Sequence, residues 1–227
     1  MLFFTMVHCP SCGERVVLAL PEEEQCPHCG RYYTPAGYYC ACCGGYIPPW
    51  LFLPHDKLHL TIGPDALALL CLAVSERFYE GRGPHGKGRG FEALGLLFGS
   101  RKGNEYRVSA VLPSVSARVG PGQAGGNWNF GSPGEIARLC GSGLTYLGLF
   151  HSHTDGDPRP SERDLPTIGA DHCDLIVGVA PAKRRKAWTF SPNTFGPVGA
   201  VNGLQFALAA YIRDPGGVVR SLMVDHA

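Results

Sequence analysis

The chain has no surplus of charge of either sign: 20 Lys and Arg face 19 Asp and Glu, a formal net charge of +1 over 227 residues. A protein whose affinity rests on neutralising phosphates carries a basic excess, so nucleic-acid binding of that kind is not expected. The one dense basic run, Lys183-Arg184-Arg185-Lys186, lies between two strand-like segments and reads as a solvated hairpin tip. No apolar run reaches the roughly 20 residues of a membrane-spanning helix, so no membrane association is expected. The apolar stretch Met1 to Val7 is short, has no basic flank and runs into Cys9, which argues against a secretory leader. These absences leave a soluble, cytoplasmic protein as the expectation.

Cysteine, by contrast, is plentiful and unevenly spread. Seven of the ten cysteines lie before residue 44, six of them in C-x2-C pairs. Clustered pairs point to structural zinc in a reducing compartment rather than to a disulfide framework. Cys9-Pro10-Ser11-Cys12 and Cys26-Pro27-His28-Cys29 make a C-x2-C-x13-C-x2-C pattern, and each pair runs into glycine, Gly13 and Gly30. This resembles a zinc ribbon, in which four thiolates enclose a structural ion. Cys40 and Cys43 form a further pair, a candidate second structural zinc site. They either join Cys26 and Cys29 or recruit His55 and His59. Cys71, Cys140 and Cys173 stand in apolar settings and are expected as buried core thiols, with His172 a core or surface histidine.

Composition changes near residue 60, which divides the chain into a Cys-rich module, 1–59, and a larger domain, 60–227. In the larger part Ala66 to Tyr79 is helix-compatible, opened by Pro64 and Asp65 and ended by the glycine-rich 81–90 segment. Ala93 to Phe98, Tyr106 to Val115, Thr145 to His153, Leu175 to Ala180, Ala187 to Phe190 and Val218 to Val224 read as strands. Further helices are expected over Pro133 to Leu139, from Ser161, and over Leu204 to Ile212. The glycine-rich Gly120 to Gly134 loop is too long for an ordinary connector and is expected to be mobile without substrate. Mixed strands and helices of this kind predict an α/β sandwich.

The chemistry concentrates at one strand end. His151-Ser152-His153 closes the apolar run Tyr146 to Phe150, and residues two apart on a strand face one side, so both imidazoles converge. Ser161 is a good helix N-cap and puts Asp164 at the third helical position, where a carboxylate is pinned to the first turn. Two imidazoles and one carboxylate leave a fourth tetrahedral position for water, as in catalytic zinc sites. Hydrolysis also needs a group to carry a proton from water to the leaving amine, and Glu92, just before the strand Ala93 to Gly99, is placed for that. Gly95 and Gly99 in that strand suggest close backbone approach.

E-A-L-G-L-L-F-G at Glu92 to Gly99, then H-S-H at 151 to 153, seven residues, Ser161, two residues and Asp164, resembles the JAMM (MPN-plus, JAB-domain) metalloprotease family over roughly residues 60–225. The resemblance implies an α/β (α+β), cytidine-deaminase-like sandwich, a mixed sheet flanked by helices. It implies a zinc peptidase or isopeptidase that cuts after the C-terminus of a ubiquitin-like protein, either maturing a precursor or deconjugating a target. His151, His153 and Asp164 would then hold the catalytic zinc, Glu92 would be the general acid/base, and Ser161 would stabilise the oxyanion. Partners would be a ubiquitin-like protein or its conjugates, with activating- or conjugating-enzyme homologues. A substrate tail would bind extended beside a strand, and Trp128 and Phe130 in the long loop either contact it or fold back onto the domain. Many relatives have proline after the second histidine; Thr154 stands there in this chain and is expected to leave that loop freer. The alternatives are a non-catalytic scaffold or nucleic-acid adaptor working through the ribbon, and an amide hydrolase for a sulfur-carrier protein.

Overall fold

The computed structural model describes residues 58–82, 90–114, 143–170, 172–191, 194–214 and 217–227 in full, and elsewhere only the backbone of strands. Among these residues the chain opens with hairpins. β1 (Phe3–His8) pairs with β2 (Arg15–Leu20), β3 (Glu24–Gln25) with β4 (Tyr32–Tyr33), and β5 (Tyr38–Tyr39) with β6 (Tyr46–Ile47), all antiparallel. In sequence, each hairpin brackets one C-x2-C pair. Cys9, Cys12, Cys26, Cys29, Cys40 and Cys43 themselves lie outside the described residues, as do Trp128, Phe130, Cys140 and the 133–139 segment.

β7 (Pro54–Ile62) straddles residue 60 and begins the main sheet. α1 (Pro64–Arg82) follows at once. Its first intrahelical bond runs from the Leu67 N–H to the Gly63 carbonyl at 2.9 Å, which makes Gly63 the cap. Pro64 and Asp65 supply the preset φ and the negative charge that a helix start favours. Leu70 and Val74 on its inner face have no exposed surface, and burying a side chain of that kind stabilises by roughly 1.5–3 kcal/mol.

The strands that follow are β8 (Leu94–Lys102), β9 (Glu105–Pro113), the short β10 (Arg118–Gly120) and β11 (Gln123–Gly125), β12 (Thr145–His153), β13 (Cys173–Pro181), β14 (Lys186–Ser191), β15 (Gly196–Val201), β16 (Leu204–Arg213) and β17 (Val219–His226). The main sheet runs β13-β12-β8-β9-β7-β17-β16, and β16 pairs again with β13, so seven strands close into a barrel. β15 and β14 extend the sheet beyond β16.

This corrects the expected sandwich. Among the described residues α1 is the only helix, so no sheet flanked by helices forms. Leu204 to Ile212, expected as a helix, is β16, the strand whose pairing with β13 closes the barrel. The reason is burial on both sides: eight of the ten residues of β16 are buried, and a strand buried on both faces loses the polar alternation that would mark it. The helix expected from Ser161 is a pair of linked turns over residues 162–167. The basic run is exposed as expected, but it is not a hairpin tip. β13 pairs with β12 and β16, whereas β14 pairs with β15, so residues 182–185 link two strands that are not neighbours.

Candidate metal centre

β12 places the two histidines. It runs parallel to β13, with His151 opposite Ile176, and antiparallel to β8, with His151 opposite Leu94. Its side-chain alternation sends both imidazoles to one side, with Nε2 to Nε2 at 3.2 Å. Asp164 completes the group: Oδ1 stands 3.5 Å from His151 Nε2 and Oδ2 stands 3.3 Å from His153 Nε2. Ligands about 2.0–2.1 Å from a zinc ion at tetrahedral angles stand about 3.3 Å apart. Each imidazole nitrogen thus has one Asp164 oxygen near that spacing, and one ligand atom from each residue lies within 4.8 Å of the other two, a group that could hold one small cation with two nitrogen ligands and one oxygen ligand.

The turns over 162–167 hold Asp164 without a helix. The Asp164 N–H donates to the Ser161 carbonyl at 3.0 Å, and the Ser161 N–H donates back to Asp164 Oδ2 at 2.6 Å, which is half of a capping box. Below the turns, Ile168 is buried and Arg213 of β16 donates from Nε to the Ile168 carbonyl and from Nη2 to the Leu165 carbonyl. Residues 162–167 are thereby tied to the barrel rather than extended into a helix. Ser161 itself is exposed.

Each histidine is gripped from behind. His151 Nδ1 meets Asp174 Oδ1 at 3.2 Å, and His153 Nδ1 meets the Asp157 carbonyl at 2.9 Å. The loop after His153, where Thr154 stands, is knit by hydrogen bonds. Asp155 Oδ1 accepts the Asp157 N–H, Asp157 Oδ1 accepts the Arg159 N–H, and the Arg159 guanidinium forks onto the Asp157 carboxylate. Tyr211, fully buried, donates its hydroxyl to the Pro158 carbonyl at 3.2 Å. These turns do the stiffening that a proline would otherwise supply.

Protonation follows from this crowding. Burial would lower the His151 pKa, yet Asp164 and Asp174 on either side outweigh it and push it up to about 10. Burial would raise the Asp164 carboxyl, but His151, His153 and the Ser161 N–H hold it well below the usual carboxylate range. Without a cation, protons sit where a cation would, and metal binding displaces them.

The backbone beside Glu92 is fixed by the histidine strand. Ser152, with no exposed surface, accepts the Ala93 N–H on Oγ at 2.8 Å and donates its own N–H to the Ala93 carbonyl at 2.9 Å. The middle residue of H-S-H thus clamps the chain next to Glu92 against the histidine strand. Burial raises the Glu92 pKa, while His153 and His151 pull it down. The close approach expected at the two glycines of β8 is present. A Cβ at Gly95 would lie 2.0 Å from the Phe150 ring, and one at Gly99 would lie 1.8 Å from the Arg107 carbonyl oxygen.

Residues 87–191 match the family described as prokaryotic homologs of the JAB domain. That segment belongs to the JAB/MPN family. The JAB segment includes Glu92, His151, His153, Asp164 and Asp174, and spans β8 to β14. No curated protein matches the chain. Among solved structures, the chain is similar to a solution structure of a protein from Desulfitobacterium hafniense, at 17% identity and a TM-score of 0.45, over 74% of this chain and 92% of that one. It is also similar to one from Salinibacter ruber, at 18% identity and a TM-score of 0.39, over 74% of this chain and 91% of that one.

Four residues that support the candidate site escape a reading by motif: Ser152, Asp157, Asp174 and Arg213. Asp174 alone left a signal, as the one charged residue in the apolar run Cys173 to Pro181. Cys71 and Cys173 are buried, as expected of core thiols, and His172 is exposed. No described helix is long and apolar enough to cross a membrane.

Proposed function

We propose that the chain is a zinc-dependent hydrolase that cuts a peptide or isopeptide bond after the C-terminus of a ubiquitin-like protein. The observation that carries this reading is the convergence of His151 Nε2, His153 Nε2 and the Asp164 carboxylate, with nitrogen–nitrogen and nitrogen–oxygen contacts of 3.2 to 3.5 Å, beside a half-buried Glu92. When bound, zinc supplies Lewis-acid polarisation of the substrate carbonyl and makes water acidic enough to ionise near neutral pH.

The chain's own residues supply the rest. Glu92 takes the proton from the attacking water and hands it to the leaving amine. Its burial favours this, because a carboxylate whose pKa is raised is a better base and a better acid near neutrality. Ser161, exposed at the mouth of the turn, stabilises the oxyanion. Cys9, Cys12, Cys26 and Cys29 hold a structural zinc, with Cys40 and Cys43 in a second site, and the N-terminal module recruits the substrate or an activating- or conjugating-enzyme homologue. Trp128 and Phe130 contact the substrate tail. The clustered thiol pairs favour a reducing compartment, the cytoplasm.

The test compares wild type with Glu92→Gln on ubiquitin-like fusions. Glutamine keeps the shape but cannot accept the proton, so cleavage falls by about 10²- to 10⁴-fold while the zinc content is unchanged. Equal cleavage by both proteins removes Glu92 from the mechanism. No cleavage of any carrier-protein fusion by wild type defeats the proposed activity.

A further inference from the structure

Asp174 is the buried acid that the proposed chemistry does not use. It is 5% exposed, on a strand buried along nearly its whole length. Taking a carboxylate out of water costs several kcal/mol, and an apolar side chain of similar volume generally packs as well or better. Stability alone is therefore a poor reason for an acid at this position.

Its contacts supply a better one. A carboxylate only accepts hydrogen bonds, so the atom facing Asp174 Oδ1 at 3.2 Å, His151 Nδ1, is the donor. That puts a proton on Nδ1, so Nε2 is the nitrogen directed at the position shared with His153 and Asp164, and its lone pair is the one a cation there would take in place of a proton. Tyr211, the cross-strand neighbour of Asp174, spends its hydroxyl on the Pro158 carbonyl.

The two histidines solve one problem by different means. His153 lies at the end of β12, where a loop carbonyl, that of Asp157, is available to receive its Nδ1 proton. His151 lies over β13, which is paired with β12 on one side and β16 on the other. The backbone acceptors there are committed to ladders, so the acceptor under His151 has to be a side chain. In the parallel register Asp174 sits opposite Leu149 and two residues before Ile176, the partner of His151, so its side chain lies on the side where the imidazole leans.

We propose that Asp174 is a positioning residue, which locks His151 in the Nδ1–H form and aims its Nε2 at the metal position. This rests on the metal-centre reading above. Second partners of this kind change metal affinity about 10- to 100-fold.

The experiment uses the full chain and a chelator competition for zinc, in which the ion lost on His151→Ala identifies this site apart from any cysteine site. Asp174→Asn keeps an acceptor without the charge and is expected to weaken that ion's binding about tenfold; Asp174→Ala is expected to approach a hundredfold. In parallel, long-range proton–nitrogen NMR of zinc-loaded wild type should show a protected His151 Nδ1 proton, which Asp174→Ala loses. A merely structural role would lower the melting temperature without moving either readout. If Asp174→Ala fails to fold, Asp174→Asn carries the test. Wild-type affinity in the variants, with the Nδ1 proton retained, overturns the inference and leaves the metal centre standing. A wild-type protein with no His151-dependent ion overturns both.

Discussion

The two faces of β13 come from alternate residues of one segment and carry opposite duties. Cys173, Leu175, Val177 and Val179 belong to the cluster packed around α1, with Phe78, Leu97 and Phe206. Asp174, Ile176 and Gly178 alternate with them and lie under the metal-site side. There Ile176 meets Ile168, Asp174 holds His151, and Gly178 receives the loop that holds His153. One face has no exposed surface to speak of and no chemistry. The other trades packing for a carboxylate and a missing side chain. A strand with a period of two can do both because substitutions on one face barely touch the other.

That separation is open to attack, most strongly from the apolar face. Leu175→Ala should cost about 2–5 kcal/mol of stability, read from urea unfolding, and leave zinc affinity at the His151 site unchanged. A matching loss of affinity would mean that the faces are coupled. Gly178→Ala tests the other face. Its Cβ would lie 2.3 Å from the Gly156 carbonyl oxygen and 2.9 Å from the Pro158 nitrogen, both backbone atoms that must move. Their displacement shifts the Asp157 carbonyl behind His153. Zinc affinity should fall about tenfold, with a stability loss of about 1–3 kcal/mol. Unaltered affinity would show that the loop does not position His153.

A smaller effect separates the faces by pH. In chelated protein the His151 pKa is pushed up to about 10, against an unfolded value near 6.5, so its contribution to stability is complete below about pH 6.5 and is lost as the pH rises toward 10. Asp164 acts at the other end: its depressed pKa contributes stability above the ordinary carboxylate range, which is lost as the pH falls below it. The chelated protein should therefore melt lower at about pH 9 than at about pH 6, and loading zinc should flatten that slope, because the ion replaces the protons. Identical slopes with and without zinc would place the titration away from this site.

The parts of the molecule that could be read from residue order are those set by short-range geometry. Two histidines one residue apart at the end of an apolar strand converge whatever lies around them, and the Ser161 to Asp164 spacing fixes a carboxylate on a turn even though no helix follows. What lay hidden depends on which strands become neighbours. Asp174 is only an odd acid in an apolar run until β13 runs parallel to β12. Ser152 is only a spacer between ligands until β8 brings Ala93 to it. β16 is hidden for the same reason. Its Ala207, Ala209 and Ala210 suit a helix, and only pairing with β13, β15 and β17 makes it a strand. The fold class failed with it, since that strand closes the ring.

Closure also decides where a second polypeptide can dock. β12 lies between β13 and β8, and β13 between β12 and β16, so neither strand at the metal site has an unpaired rim. A foreign strand cannot zip onto them, and a one-residue slip, which would exchange both imidazoles for Ser152, would have to break two ladders at once. A substrate tail that binds as an added strand must find its rim elsewhere. Among the described strands, the outer edge of β14 and the two-stranded hairpins β1–β2, β3–β4, β5–β6 and β10–β11 remain open to it.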